Sequence, residues 1–195
     1  MTDLSGVELS EAQPHVSDSD AVRSAIGQGT NSFTPIQLSR YVSTISNGGT
    51  CYDLTLIDKI ADPSQDKLKT NKASVRNKLD IQDSTLKAIQ SGMYMVVNDG
   101  SLKSVFQKVP VKVAGKTGTA QISANEPNHA LFVSYAPYTD PKISVTVVMP
   151  NAFTSSNAAS LASNVYQYYF DEKARQKLLK KSATSPVSNS GGVAD

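Results

Sequence analysis

At 195 residues and 20.8 kDa, the chain has the length of one domain able to bury a real core. Hydrophobic residues make up 39% and charged residues 18%, an ordinary globular composition, and a net charge of +2 offers no bulk attraction to nucleic acid or another polyanion. Cys51 is the single cysteine, which excludes an intrachain disulfide and any multi-cysteine metal site. It follows Gly48-Gly49-Thr50 at the head of an apolar stretch, the setting of a buried structural thiol. His15 and His129 lie far apart and form no zinc motif, so neither a metal nor a cofactor is expected. No apolar run is long enough to cross a bilayer. The first thirty residues lack a basic n-region followed by an apolar h-region, so these residues by themselves predict neither export nor anchoring.

Residues 1–33 are rich in Ser, Asp, Gly and Gln with little periodicity and read as mostly loop. The first clear helix opens at Thr34-Pro35-Ile36-Gln37. Thr34 is suited to cap it, Pro35 to the first position, and Gln37 to complete a capping box. Leu38, Tyr41, Val42 and Ile45 recur at helical spacing, and Asn47-Gly48-Gly49 ends the helix. A strand is expected over 50–60. The basic, polar segment from Lys67 to Lys78 has no aromatics among its cations and reads as a solvated loop, not a nucleic-acid surface. A second helix runs from about Asp83 to Asn98, with Leu86, Ile89, Met93 and Val96 on one face. Three strands follow at about 109–121, 129–136 and 142–149. Short connections between them favour antiparallel pairing. Leu161, Val165, Tyr168 and Tyr169 mark a last helix beginning near Ser155 to Asn157, which fades into Lys177 to Lys181 and a disordered Ser/Gly tail. The order predicts an α+β fold, an antiparallel sheet with flanking helices, and there is no internal repeat.

The stretch Val111 to Gln121 carries the chemistry. It alternates like a strand and then sets Lys116, Thr117, Gly118 and Thr119 together. With 15 Lys, 14 Thr and 11 Gly in the chain, chance would place this string about 0.004 times. Such a strand suits an anion site. Lys116 supplies positive potential, the Thr117 and Thr119 hydroxyls can donate to a carboxylate, and Gly118 lets a substrate backbone approach. The bland alternative is a polar end of an edge strand, with its lysine there to discourage aggregation.

These residues, with further blocks in the same order, resemble the class B penicillin-binding proteins, monofunctional peptidoglycan D,D-transpeptidases whose motif set includes Lys-Thr-Gly. The blocks are Ser5 to Leu9, Ala25 to Gly29, Thr34 to Leu38, Asn47-Gly48-Gly49, Gly92-Met93, Val96 to Asn98, Ala114 to Gln121, Asn128 to Val133, Tyr135-Ala136-Pro137 and Pro141-Lys142-Ile143. The resemblance implies the C-terminal half of a serine transpeptidase/β-lactamase-like fold. Residues 1–26 would be a lead-in, 27–175 the domain part, and 176–195 a helix end and tail. It assigns Lys116 to the active site, in proton transfer and carboxylate binding. Thr117, Gly118 and Thr119 become substrate-binding residues, and the Thr119 N–H becomes an oxyanion donor. It implies peptidoglycan stem peptides and β-lactams as ligands, cell-wall synthesis proteins as partners, and an extracytoplasmic, membrane-anchored parent. His129 also matches a family position, in a structural role.

The family's Ser-x-x-Lys and Ser-x-Asn precede its Lys-Thr-Gly strand. Here Ser-x-x-Lys occurs at Ser64–Lys67 and Ser84–Lys87, and 26 Ser with 15 Lys would give about two such strings by chance. Ser-x-Asn occurs at Ser123–Asn125 and Ser155–Asn157, both after Lys116. Ser84 opens a helix and reads as its N-cap. The expectation is therefore a transpeptidase fragment, inactive alone and poorly stable or self-associating. The alternative is a non-catalytic module that binds β-lactams or acyl-D-Ala termini.

Overall fold

The computed structural model describes residues 33–62, 67–121 and 126–184, together with Asp18, Val22 and Arg23. Those three isolated residues are helical, where the sequence reading expected loop. Helix α1 (Pro35–Ser46) is capped as its sequence predicts. Thr34 Oγ1 accepts from the Gln37 N–H at 3.3 Å, and Gln37 Oε1 accepts from the Thr34 N–H at 2.8 Å. It ends where Gly48 and Gly49 take φ of 87° and 93°, the left-handed region in which a Cβ is penalised. Asn47 braces this turn through two hydrogen bonds to the Thr50 backbone.

An antiparallel ribbon follows. Strands β1 (Thr50–Tyr52) and β4 (Val75–Lys78) pair with each other, as do β2 (Lys59–Asp62) and β3 (Lys67–Thr70). The single strand expected over 50–60 is thus two strands. Between them Thr55 Oγ1 accepts the Ile57 N–H at 3.0 Å, and the Asn71 side chain donates to the Ile57 carbonyl, so side chains take over the ladder's backbone groups. The loop expected from Lys67 to Lys78 holds two strands. Val75 to Lys78 is exposed along its length, so no polar–apolar alternation was there to read. Cys51 is half-buried instead of buried, because the ribbon is only two strands wide at that point.

Helix α2 (Asp83–Asn98) starts after Gln82, not at Ser84, which lies inside its first turn. Its buried face is Leu86, Met93 and Val97, while Ile89, placed on the inner face by spacing, is exposed. A short helix α3 (Lys103–Phe106) precedes the sheet, so the strand expected from residue 109 begins only at residue 114. Strands β5 (Ala114–Ala120), β6 (His129–Ala136) and β7 (Ile143–Met149) form an antiparallel sheet in that order. Helix α4 (Ser155–Phe170) breaks at Asp171, whose Oδ1 accepts the N–H groups of Lys173 and Ala174 and so opens helix α5 (Glu172–Thr184). The tail expected beyond it lies outside the described residues.

Directly paired residues of an antiparallel ladder share a face, so the register sorts the core into two layers. Tyr135 and Ala114 meet Val42 and Ile45 of α1 and Leu86 and Met93 of α2 on one side. Phe132, Ala130 and Val147 meet Phe106 of α3 and α4 on the other. Helix α4 reverses the sequence reading of its faces. Ala158, Ala159, Ala162 and Tyr166 are fully buried, whereas Leu161, Val165, Tyr168 and Tyr169 are exposed. Alanines let the helix approach the sheet closely, and the volume is filled by Phe132 from the sheet and Phe106 from α3, whose rings lie 5.5 Å apart. The chain is an α+β fold with helices on both faces of an antiparallel sheet.

Candidate functional site

Strand β5 is fixed at its root before it reaches the residues of interest. Asn98 at the end of α2 donates both amide hydrogens, one to the Tyr94 carbonyl at 2.9 Å and one to the Val113 carbonyl at 2.8 Å. The Tyr138 N–H donates to the Lys112 carbonyl at 2.8 Å. One residue into the strand, Gly115 is required by its neighbour. A Cβ built there would lie 2.5 Å from Cζ of the fully buried Phe132 and 2.9 Å from Cβ of Ser134. Sequence reading gave Gly115 no role, and only its neighbours on β6, Phe132 above all, reveal one.

Beyond Gly115, Lys116, Thr117, Gly118 and Thr119 pair with Val133, Phe132, Leu131 and Ala130. The strand period of two sends Lys116 and Gly118 to the side of α1 and α2, and Thr117 and Thr119 to the side of α4. The four residues therefore share a strand without converging on one point. What they share is an edge. β5 is the first strand of the sheet, and its outer side has no strand partner among the described residues. Such an edge can pair with an extended peptide, with pockets on alternate faces reading its side chains.

Lys116 and Thr119 are exposed, and Thr117 and Gly118 half-buried. The Lys116 ammonium donates to the Thr117 carbonyl at 2.8 Å and has no carboxylate partner among the described residues. Its charge remains available to an anion arriving along the edge. Gly118 is less constrained than Gly115, since a Cβ there would meet only Leu131 Cβ, at 3.3 Å.

The other sequence candidates sit elsewhere. His129 opens β6 opposite Ala120, and its Nδ1 accepts the Asn151 N–H at 3.3 Å, which braces the loop into α4. Ser155 and Asn157 lie in the first turn of α4, and Asn157 is spent on the Ala152 carbonyl. Ser84 lies in the first turn of α2. Ser64, Ser123, Asn125 and His15 fall outside the described residues.

Residues 3–167 match the family described as the penicillin binding protein transpeptidase domain, and the chain belongs to that family. It is 33% identical over 181 residues to "Peptidoglycan D,D-transpeptidase MrdA" of Haemophilus influenzae, covering 80% of this chain and 27% of the relative. It is 30% identical over 171 residues to "Penicillin-binding protein 2A" of Bacillus subtilis, covering 78% of this chain and 24% of the relative. Among solved structures, penicillin-binding protein 2B of Streptococcus pneumoniae strain R6 superposes with a TM-score of 0.70 at 28% identity, over 80% of this chain and 28% of that one. The chain thus spans about a quarter of the length of these relatives. No helix among the described residues is long and apolar enough to cross a membrane.

Proposed function

We propose that these residues are the substrate-binding, Lys-Thr-Gly part of a peptidoglycan D,D-transpeptidase domain, whose nucleophilic serine and Ser-x-Asn motif belong to polypeptide outside them. Residues 27–175 form the domain part, 1–26 a lead-in, and 176–195 a helix end and tail. The observation that carries the reading is the Lys116–Thr119 string on the open outer edge of β5, in a chain of this family. Two further features support a part of something larger. The outer edge of β7 has no strand partner among the described residues, and α4 exposes Leu161, Val165, Tyr168 and Tyr169 in one stripe.

In this reading a stem peptide ending in D-Ala-D-Ala lies along β5. Thr117 and Thr119 hold its terminal carboxylate from one face, and Lys116 adds positive potential and assists proton transfer from the other. Gly118 admits the peptide backbone. The Thr119 N–H is one of two oxyanion donors, which act where negative charge develops on the attacked carbonyl. The serine, supplied from outside, attacks that carbonyl and D-Ala leaves. The acyl group then passes to an amine of a neighbouring strand, and a β-lactam traps the serine as a stable ester. A solved relative, penicillin-binding protein 2 of Helicobacter pylori, is described in complex with MreC, and a cell-wall assembly partner of that kind fits an extracytoplasmic, membrane-anchored parent.

The test is covalent labelling by a fluorescent penicillin. The longer protein containing these residues is expected to label, and in it Lys116→Ala to slow acylation about a hundredfold and Thr119→Val about tenfold, at an unchanged melting temperature. The 195-residue chain should not label. A chain that labels by itself contains its own nucleophile, which overturns the division proposed. Saturable but reversible binding by the longer protein would instead favour a non-catalytic β-lactam or acyl-D-Ala module.

A further inference from the structure

The ribbon returns along β3 and β4, and among the described residues each of these strands has a strand partner on one side only. The inner side is spent. The Asn71 N–H donates to the Asp58 carbonyl at 2.7 Å, and the Leu79 N–H to the Gly49 carbonyl at 2.8 Å. Backbone groups of successive residues point to opposite sides of a strand, so those of Thr70 and Lys78 face outward.

This outer edge is basic. Lys69 to Leu79 is exposed throughout and carries Lys69, Lys72, Arg76 and Lys78 with no carboxylate among them. Arg76 reaches Asp53 at 3.9 Å. The three lysines have no carboxylate within ion-pair distance among the described residues. Tyr52 and Val75 form a cross-strand pair beside the edge, at 39% and 57% exposure, and make an uncovered apolar pad.

Lysines on an open edge keep identical chains from pairing there, because like charges would meet. The same lysines favour a strand of opposite sign. A polyanion without a peptide backbone would answer the cations, but would leave the outward N–H and C=O groups and the Tyr52–Val75 pad to water. We propose that the outer edge of β3 and β4 receives an extended acidic segment of a partner polypeptide as an added strand. Its carboxylates would lie toward Lys69, Lys72 and Lys78, with an apolar side chain over Tyr52 and Val75. Such a segment would engage the ribbon whether or not β5 takes part in acyl transfer.

A suitable probe is an end-blocked octapeptide of alternating glutamate and valine, with sodium tripolyphosphate as an anion of comparable charge and no backbone. The dilute 195-residue chain is titrated against the fluorescently labelled peptide, and hydrogen exchange is followed residue by residue. Saturable binding is expected, with slowed exchange of the outward Thr70 and Lys78 amides and little displacement by tripolyphosphate. The triple variant Lys69→Gln, Lys72→Gln, Lys78→Gln alters only exposed side chains, so the fold is retained, and it should weaken binding about tenfold, the size of effect three exposed charge pairs supply. Absence of binding, unchanged affinity in the triple variant, or protection confined to the β5 edge would each overturn the proposal. Ready displacement by tripolyphosphate without protection of those two amides would do the same, and would mark the ribbon as a general polyanion surface.

Discussion

The Tyr166 hydroxyl donates to Ser134 Oγ at 2.8 Å, with both side chains buried away from solvent. Ser134 Oγ passes its own hydrogen to the Val145 carbonyl at 3.1 Å. This polar chain thus joins α4, β6 and β7 inside a mostly apolar layer. Tyr166→Phe removes one hydrogen bond at nearly constant shape and should cost about 1 kcal/mol. Ser134→Ala strands a buried phenol and should cost more, about 1–3 kcal/mol. Urea melts of the two variants check the order, and a Tyr166→Phe loss as large as that of Ser134→Ala would contradict it.

Alkaline pH should unfold the chain through its buried phenols. Burial, with a contribution from the neighbouring Tyr138, pushes Tyr135 from 10.0 up to about 12. Burial also pushes Tyr166 upward, against the lowering effect of its bond to Ser134. Below pH about 10 both folded and unfolded states keep these protons, and the full stability is present. Above it the unfolded chain releases them first, so stability is lost as pH rises toward the folded values. Thermal melts between pH 9 and 12 should fall steeply, and less steeply for Tyr166→Phe. Parallel curves would show that Tyr166 is not part of the cause.

Gly115→Ala should destabilise by about 1–3 kcal/mol, since its methyl group would overlap the Phe132 ring. Phe132 is fully buried and cannot swing clear. The double variant Gly115→Ala, Phe132→Leu should lose less than the two single losses added together, because the shorter side chain removes the clash. Strict additivity in denaturant melts would sink this account of Gly115.

The self-association expected from sequence has a concrete surface. Leu161, Val165, Tyr168 and Tyr169 repeat at helical spacing on the outside of α4. The 195-residue chain should sediment as a concentration-dependent mixture, and Val165→Lys with Tyr169→Lys should shift it toward monomer. A sharp, reversible two-state melt of a monomer at low concentration, insensitive to those changes, would count against the idea.

How far the sequence could be read depended on where the information resides. The ends of α1 were legible because capping is local: Thr34, Pro35 and Gln37, then Gly48 and Gly49, act within a few residues of themselves. The inner face of α4 was misread because periodicity finds a stripe and cannot say what lies opposite it. There the sheet supplies the bulk and selects alanine. Strand β4 was missed because its pairing with β1 is nonlocal and it is exposed along its length, and β3, which closes a short hairpin with β2, because the basic composition of Lys67 to Lys78 reads as loop. The Lys116–Thr119 string was legible as a string. Its split across two faces required the register with β6, and the need for Gly115 required knowing that Phe132 stands beside it.

The alanine face of α4 also limits how this helix can change over time. Ala158, Ala159 and Ala162 have no exposed surface, so any residue larger than serine there would lift the helix off the sheet and pull on the Tyr166 anchor. Only glycine and serine are small enough to substitute, and glycine weakens the helix by about 1 kcal/mol per position. The outer positions carry no such steric limit. Two faces of one helix therefore differ in their freedom to drift, and among relatives that keep this sheet the inward positions should stay small while the outward ones diverge.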